Sequence, residues 1–252
     1  MTRPTQANDT AAPRSSTFKA AILAGRRPAV RPYGFVVKDK SLPGTWFRTC
    51  SWFDAGSISS AGAIVRHAGA EQREVQKDRY VVLHGNVRRA ITSGLHDRGW
   101  SLYPTVTMSV TESTFESKAV PASLRKHIRR RTGGDPLAAR AAWEIPPAVS
   151  DKRLTRLTRD DVWFTYGPGV GTARLRVKIH KQVAWIDEFV VDTAEQGSGV
   201  GSALFDTAVS WGFAQGVESV ELAADTFRWP RRWYASRGFR TTGRFTLAVR
   251  WS

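Results

Sequence analysis

The sequence predicts an α/β protein, and three stretches carry that prediction. Residues 183–191 form a continuous apolar run broken by Asp187 and Glu188, as a buried strand requires. Gln196-Gly197-Ser198-Gly199-Val200-Gly201-Ser202 follows, and residues 203–211 then read as a helix. Residues 173–179 alternate apolar with basic side chains, the pattern of a half-exposed strand. Strand, glycine turn and helix together build an anion site. Glycines allow close backbone approach, and the first N–H groups of a helix lack intrahelical partners and carry partial positive charge. A phosphate-bearing ligand at residues 197–202 is one reading. A tight connection that binds nothing is the other, and glycine spacing alone does not separate them.

The other elements follow in order. Residues 1–16 are rich in Thr, Ser, Ala and Pro and are expected to form a disordered tail. A short helix is expected at 18–24, then an extended basic connector through Arg26-Arg27-Pro28 and Arg31-Pro32. Residues 33–37 suggest a strand, Pro43-Gly44 a turn, and 46–53 a buried aromatic run. Residues 80–83 read as a strand. Asn86 is placed to cap a helix in which Val87, Ala90, Ile91 and Leu95 recur at helical spacing, with Gly99 closing it. Residues 103–110 alternate as a strand, and Pro104 implies an edge or a strand start. Arg125-Lys126-His127-Ile128-Arg129-Arg130-Arg131 reads as a short helix whose charges grip phosphates or form a solvated face. Pro146-Pro147 suggests a boundary near 147–151, dividing a basic region at 17–150 from residues 151–252. Beyond it come strands at 162–166 and 217–222, a helix at 199–215, a second begun by Pro230, and a last strand at 245–251. No internal repeat is visible in the residues.

Composition narrows the function classes. The chain of 252 residues carries a formal charge of +16. Residues 1–150 hold 23 basic against 11 acidic side chains, and the remainder 15 against 11. Such an excess points to a polyanionic partner, DNA, RNA or a nucleic-acid-bound protein, or to an Arg-rich solvated face. Cys50 is the single cysteine, so no internal disulfide forms, and no Cys/His cluster suggests a metal. No apolar run reaches the ~20 residues of a membrane span, and the polar N-terminus lacks a signal-peptide core. A soluble, cytoplasmic protein without a membrane partner is expected.

Two familiar glycine loops fail. A dinucleotide fingerprint wants a glycine or alanine where Ser202 stands, and a Walker loop wants a Gly-Lys-Ser/Thr ending. Gln196-x-x-Gly199-x-Gly201 instead resembles the (Arg/Gln)-x-x-Gly-x-(Gly/Ala) signature of the GCN5-related N-acetyltransferase (GNAT) superfamily. Ile186-Asp187-Glu188-Phe189-Val190-Val191-Asp192 resembles that family's central strand, and Trp233-Tyr234-Ala235-Ser236-Arg237-Gly238-Phe239 its later motif. The resemblance covers roughly residues 160–252. It implies a mixed, mostly antiparallel central sheet flanked by helices, here with a basic N-terminal α/β extension, and acetyl-CoA as donor. Gly197, Ser198, Gly199, Val200, Gly201 and Ser202 would cradle the pyrophosphate, and Val190 and Val191 would pair with the pantetheine arm. Tyr234 would protonate the leaving thiolate. Part of the region upstream of Val162 would then supply the family's first elements, with the helices expected at 86–98 and 122–131 as candidates.

A base is still needed for the amine. Asp187 and Glu188 are neighbours on a strand and are expected on opposite faces. Glu188 is the preferred base, Asp187 the alternative, and a structural acceptor the remaining role; His180 is a weaker candidate. The sequence departs from the family before the tyrosine, where Phe227 and Pro230 replace the usual Asn and Ala. Phe227, Trp229 and Trp233 there interleave with Arg228, Arg231 and Arg232, either as a base-stacking surface or as core aromatics beside phosphate-binding arginines. The expected function is acetyl-CoA-dependent N-acylation of a large anionic or nucleic-acid-associated amine, with Arg125, Lys126, Arg129, Arg130 and Arg131 as substrate-binding candidates. The alternatives are a nucleic-acid base-modifying enzyme on the same fold and a nucleic-acid-binding protein without catalysis.

Overall fold

Eleven strands hydrogen-bond into one sheet in a computed structural model that describes residues 28–38, 49–73, 78–132, 161–169 and 171–251. The expected tail, the helix at 18–24, the Pro43-Gly44 turn, Trp46, Phe47 and the boundary at 147–151 lie outside the described residues. In chain order come β1 (Ala29–Arg31), β2 (Gly34–Val37), β3 (Cys50–Asp54), α1 (Ala61–Gln72), β4 (Arg79–His84), α2 (Arg89–His96) and β5 (Ser101–Val110). Then follow α3 (Ala122–Arg125), β6 (Ile128–Thr132), β7 (Asp161–Tyr166), β8 (Ala173–His180), β9 (Val183–Val191), α4 (Val200–Ala214), β10 (Ser219–Asp225), α5 (Trp229–Ala235) and β11 (Arg240–Arg250). The sheet order is β1-β2-β3-β4-β11-β5-β10-β9-β8-β7-β6. The β3/β4 and β9/β10 pairs are parallel and the others antiparallel, so the sheet is mixed and mostly antiparallel, as expected.

Alternation along each strand divides the core into three clusters. Ile186, Val220 and Leu222 turn toward α4 and α5, where Leu204, Phe205, Val209 and Tyr234 bury. Phe53, Val81 and Leu83 turn toward α1 and α2, against Ile64, Ala68, Ile91 and Leu95. Trp52 and Trp185 point the other way and share a third cluster with Phe35, Tyr80 and Phe245. Ser60 caps α1 by accepting from the Ala63 N–H at 3.2 Å. Glu71 on α1 is held by Arg31 Nε at 2.7 Å and Lys38 Nζ at 2.8 Å, which ties the helix to the first hairpin.

Four local expectations are corrected. Arg129, Arg130 and Arg131 lie in β6, a strand at the sheet edge, and the helical part of that segment ends at Arg125. Pro104 sits in β5, near the middle of the sheet. It is tolerated because its carbonyl accepts from Thr226 N–H, just past the end of β10, so its missing donor faces the same gap. Asn86 is not a cap; α2 begins at Arg89 after Arg88, which gives no side-chain cap. Arg176 is not half-exposed but fully buried.

Candidate functional site

The site forms where two parallel strands part. β9 and β10 pair from Val183↔Ser219 to Ile186↔Leu222 and no further, although β9 continues to Val191 and β10 to Asp225. Residues 187–191 of β9 keep their bonds to β8 on one side and leave the other side open as a crevice. Val190, 37% exposed, lies on that open stretch. Gln196 donates through Nε2 to the Val191 carbonyl at 3.2 Å and ties the following loop to the end of the strand.

The glycine loop then turns into α4. Gly199 is the N-cap at φ 86°, a left-handed conformation costly for any side chain, and gives no side-chain cap. The first intrahelical bond runs from Ala203 N–H to the Gly199 carbonyl. Val200 N–H has a long contact of 3.4 Å with Ser198 Oγ. Val200, Gly201 and Ser202 are thus the first-turn positions whose N–H groups have no intrahelical acceptor. A Cβ on Gly201 would meet Val191 Cγ2 at 3.1 Å, so glycine there lets the helix start lie against the strand end. α4 spans 15 residues and adds its dipole. These features fit a pyrophosphate.

Tyr234 stands on α5, packed against Phe205 (5.3 Å), Trp233 (5.2 Å) and Phe239 (6.0 Å). Phe189, on the open stretch of β9, lies 5.9 Å from Trp233 and 5.6 Å from Phe205. The aromatic cluster therefore borders the crevice. Burial pushes the Tyr234 phenol above its usual value, and Arg237 opposes only in part. Such a phenol stays protonated at neutral pH, although the same burial makes it a weaker acid than a free phenol.

Sequence reasoning counted Arg237 only as part of a motif. Its side chain is 1% exposed. Nε donates to Asp206 Oδ1 at 2.9 Å, Nη2 donates to Ser202 Oγ at 2.8 Å, and the guanidinium carbon lies 3.7 Å from the Trp233 ring centre. One guanidinium thus joins the end of the tyrosine helix to the first turn of α4. Gly238 follows at φ 84°, where a Cβ would meet the Thr114 carbonyl oxygen at 1.8 Å.

The carboxylates sit differently from expectation. Arg174 opposes Val190 and Arg176 opposes Asp187, so β9 carries an extra residue, and Glu188 takes φ 52° within this bulge. The bulge cancels strict alternation. Asp187 and Glu188 both reach Arg176 instead of pointing to opposite faces. Arg176 Nε and Nη2 donate to the two oxygens of Asp187 at 2.5 and 2.6 Å. Nη1 donates to Asp161 at 3.2 Å, and Glu188 Oε1 lies 3.9 Å from Nη2. Burial opposes the Arg176 charge, yet Asp187 and Asp161 outweigh it and raise its affinity for the proton. Burial also pushes the Asp161 carboxyl up, against the pull of Arg176 and Lys178. A left-handed non-glycine residue costs on the order of 1–3 kcal/mol and concentrates at functional sites.

The remaining candidates lie apart. His180 is exposed at the end of β8. Phe227 and Trp229 are exposed, while Trp233 is partly buried, so the interleaved segment is part surface and part core. In β6 the three arginines alternate between faces. Arg130 lies on the α4 side, 5.8 Å from the Trp211 ring, in a cleft with Arg125 and Ile128, and Arg129 and Arg131 point to the other face. Among the described residues no group of His, Cys, Asp or Glu is arranged to hold a metal, and no helix is long and apolar enough to cross a membrane.

A parted parallel pair, a glycine loop and an uncapped helix start make a sheet crevice whose lining suits an anionic ligand. Residues 139–239 match the model of the acetyltransferase (GNAT) family. That family's chemistry is acyl transfer to an amine. Solved structures share the fold over most of the chain. A GCN5-related N-acetyltransferase from Kribbella flavida is 15% identical, with 94% of each chain covered and a TM-score of 0.59. One from Sphaerobacter thermophilus is 16% identical, covering 94% of this chain and 85% of that one, with a TM-score of 0.58. A conserved protein of unknown function from Staphylococcus epidermidis ATCC 12228 is 10% identical, covering 89% and 90%, with a TM-score of 0.59. A search of curated proteins by sequence found no match.

Proposed function

We propose that this protein is an acetyl-CoA-dependent N-acetyltransferase whose donor site is the crevice between β9 and β10. The observation that carries the reading is the uncapped start of α4 beside the open stretch of β9. Val200, Gly201 and Ser202 N–H groups hold the pyrophosphate, and the free edge of β9 at Val190 and Val191 receives the amide groups of the pantetheine arm. When bound, acetyl-CoA supplies an activated acetyl thioester. Tyr234, kept protonated by burial, donates its proton to the departing thiolate. Glu188, directly or through water, accepts the proton of the attacking amine. Asp187, committed to Arg176 through two hydrogen bonds, positions that guanidinium and the bulge and is not the base.

Acetyl-CoA titration into the full chain tests the donor site. Gly199→Asp places a carboxylate at a left-handed cap facing the anion, and at least a 100-fold loss of affinity is expected. Unchanged affinity overturns the proposal. Glu188→Gln should lower turnover while leaving donor affinity in place.

The acceptor is proposed to be an amine on an anionic or nucleic-acid-associated substrate. The +16 charge and the basic edge around Arg125, Lys126, Arg129, Arg130 and Arg131 support that class. Binding to DNA or RNA that falls steeply with salt on log–log axes is the expected result, and salt-independent binding or none refutes it. Mass spectrometry of products distinguishes acetylated protein amines from a modified base, and absence of turnover identifies a binding protein.

A further inference from the structure

The strand order reads the same from both ends. Pairing β1 with β7, β2 with β8, β3 with β9, β4 with β10 and β5 with β11 maps β1-β2-β3-β4-β11 onto β7-β8-β9-β10-β5. β6 alone falls outside the symmetry. The parallel pairs correspond, as do the antiparallel ones. α1 maps onto α4 and α2 onto α5, with connectors of similar length. β5 and β11 lie antiparallel to each other at the centre, each paired on its outer side with a strand of the other half.

Residues follow the same relation. Val81 opposes Ser51 and Val220 opposes Ala184, which sets Trp52 on Trp185 and Asp54 on Asp187. Both tryptophans enter the same buried cluster. After α2 the chain reads Arg98-Gly99-Trp100, and after α5 Arg237-Gly238-Phe239. Trp100 N–H donates to the Leu95 carbonyl at 3.1 Å, and Phe239 N–H to the Tyr234 carbonyl at 3.3 Å. Gly99 and Gly238 share the left-handed conformation at φ 75° and 84°. A repeat that is not visible by eye in the residues is therefore present in register and hydrogen bonding.

From this correspondence we infer that the chain consists of two copies of one acyltransferase unit that have exchanged their last strands, and that only the second copy holds a donor. Leu95 occupies the place of Tyr234, so the first copy lacks the proton donor. Its helix start is closed by the Ser60 side chain, where α4 has an uncapped Gly199. Its parallel strands stay paired to the last residue, Asp54↔His84, so no crevice opens. The first copy's contribution to the active unit is β5, which fills the sheet position beside β10. The second copy in turn supplies β11 to β4.

The donor half of this inference rests on the acetyl-CoA reading above, and the exchange does not. Native mass spectrometry of the full chain across an acetyl-CoA titration should show one donor per chain, and none in Gly199→Asp. Two donors per chain, or one retained in Gly199→Asp, overturns the silent first copy. No donor in the wild type overturns the donor reading, and the exchange is then decided by a disulfide test. Arg79→Cys with Arg250→Cys places thiols on directly opposed residues of β4 and β11. An intramolecular disulfide, read as a 2 Da mass loss in a monomer, supports the exchange. Failure to form one while the chain stays folded by circular dichroism overturns it. Thr105→Cys with Asp225→Cys, opposed across β5 and β10, repeats the test at the second crossing and covers misfolding of the first pair.

Discussion

Replacing Arg237 with methionine should weaken the fold and the donor site together. The side chains of Arg237 and Asp206 are each 1% exposed, so their pair is almost fully desolvated. Methionine fills much of the volume but removes the bonds to Asp206 and Ser202. Asp206 keeps the Lys118 N–H at 3.0 Å and loses its counter-charge. Breaking one side of a buried pair costs about 3–5 kcal/mol. At about 2–4 °C per kcal/mol for a chain of this size, Tm should fall by roughly 6–20 °C. Differential scanning calorimetry reads the shift, and urea unfolding checks the free energy. Arg237→Met with Asp206→Leu should cost less than the two single changes summed, since neither charge is then stranded. Arg237→Lys should recover part of the stability but not the two-pronged geometry. A loss below about 1 kcal/mol, or additive single changes, would refute the claim that this pair joins the tyrosine helix to α4.

The remaining predictions concern separate parts of the molecule. Tyr234→Phe should lower kcat by about 10²–10⁴-fold with little change in acetyl-CoA affinity, measured by steady-state kinetics and calorimetry; a normal kcat removes Tyr234 from the chemistry. Gly238→Ala should destabilise strongly, because the new Cβ would fall 1.8 Å from the Thr114 oxygen at a positive φ; a Tm within about 2 °C of wild type, no more than the smallest shift a loss of about 1 kcal/mol gives, contradicts the packing. Hydrogen bonds from Arg31 and Lys38 pull the Glu71 carboxyl down to about 2. Its stabilisation is present above its unfolded pKa near 4.5 and is lost as pH falls toward 2. Glu71→Gln should flatten the stability curve between those values, and an unchanged slope rejects the role.

Much of the second half was legible because its signals are local. The glycine loop, the apolar run at 183–191 and the Tyr234-to-Phe239 motif each show in a few consecutive residues, and α4, β9 and α5 lie where those residues place them. What was missed depends on partners distant in sequence. Arg176 reads as one basic residue in an alternating strand, and only Asp161 and Asp187 on the flanking strands explain its burial. The bulge at Glu188 depends on register with β8, which alternation along one strand does not encode. Arg129, Arg130 and Arg131 look helical by charge and flanking residues, whereas pairing with β7 makes them an edge strand. Charges on an edge also discourage pairing with another chain, a use for those arginines that needs no nucleic acid. α1 gives a weak sequence signal because Gly62, Ala63, Gly69 and Ala70 dilute its apolar stripe, and its burial rests on Ile64 and Ala68 against β3 and β4, the strands on either side of it in the chain.

The crossed position of β11 sets an order of events during synthesis. Its partner β4 leaves the ribosome long before β11 is made, and stands as an open edge until Phe245–Arg250 arrive to pair with His84–Arg79. Neither half can close its sheet alone, since β10 likewise needs β5. Pairings this distant in sequence form slowly and leave strand edges exposed meanwhile. A nascent chain stopped before β11 would therefore present the open edge of β4 along Val81, Val82 and Leu83, with only β3 paired to its other side, and β11 is the latch that closes it.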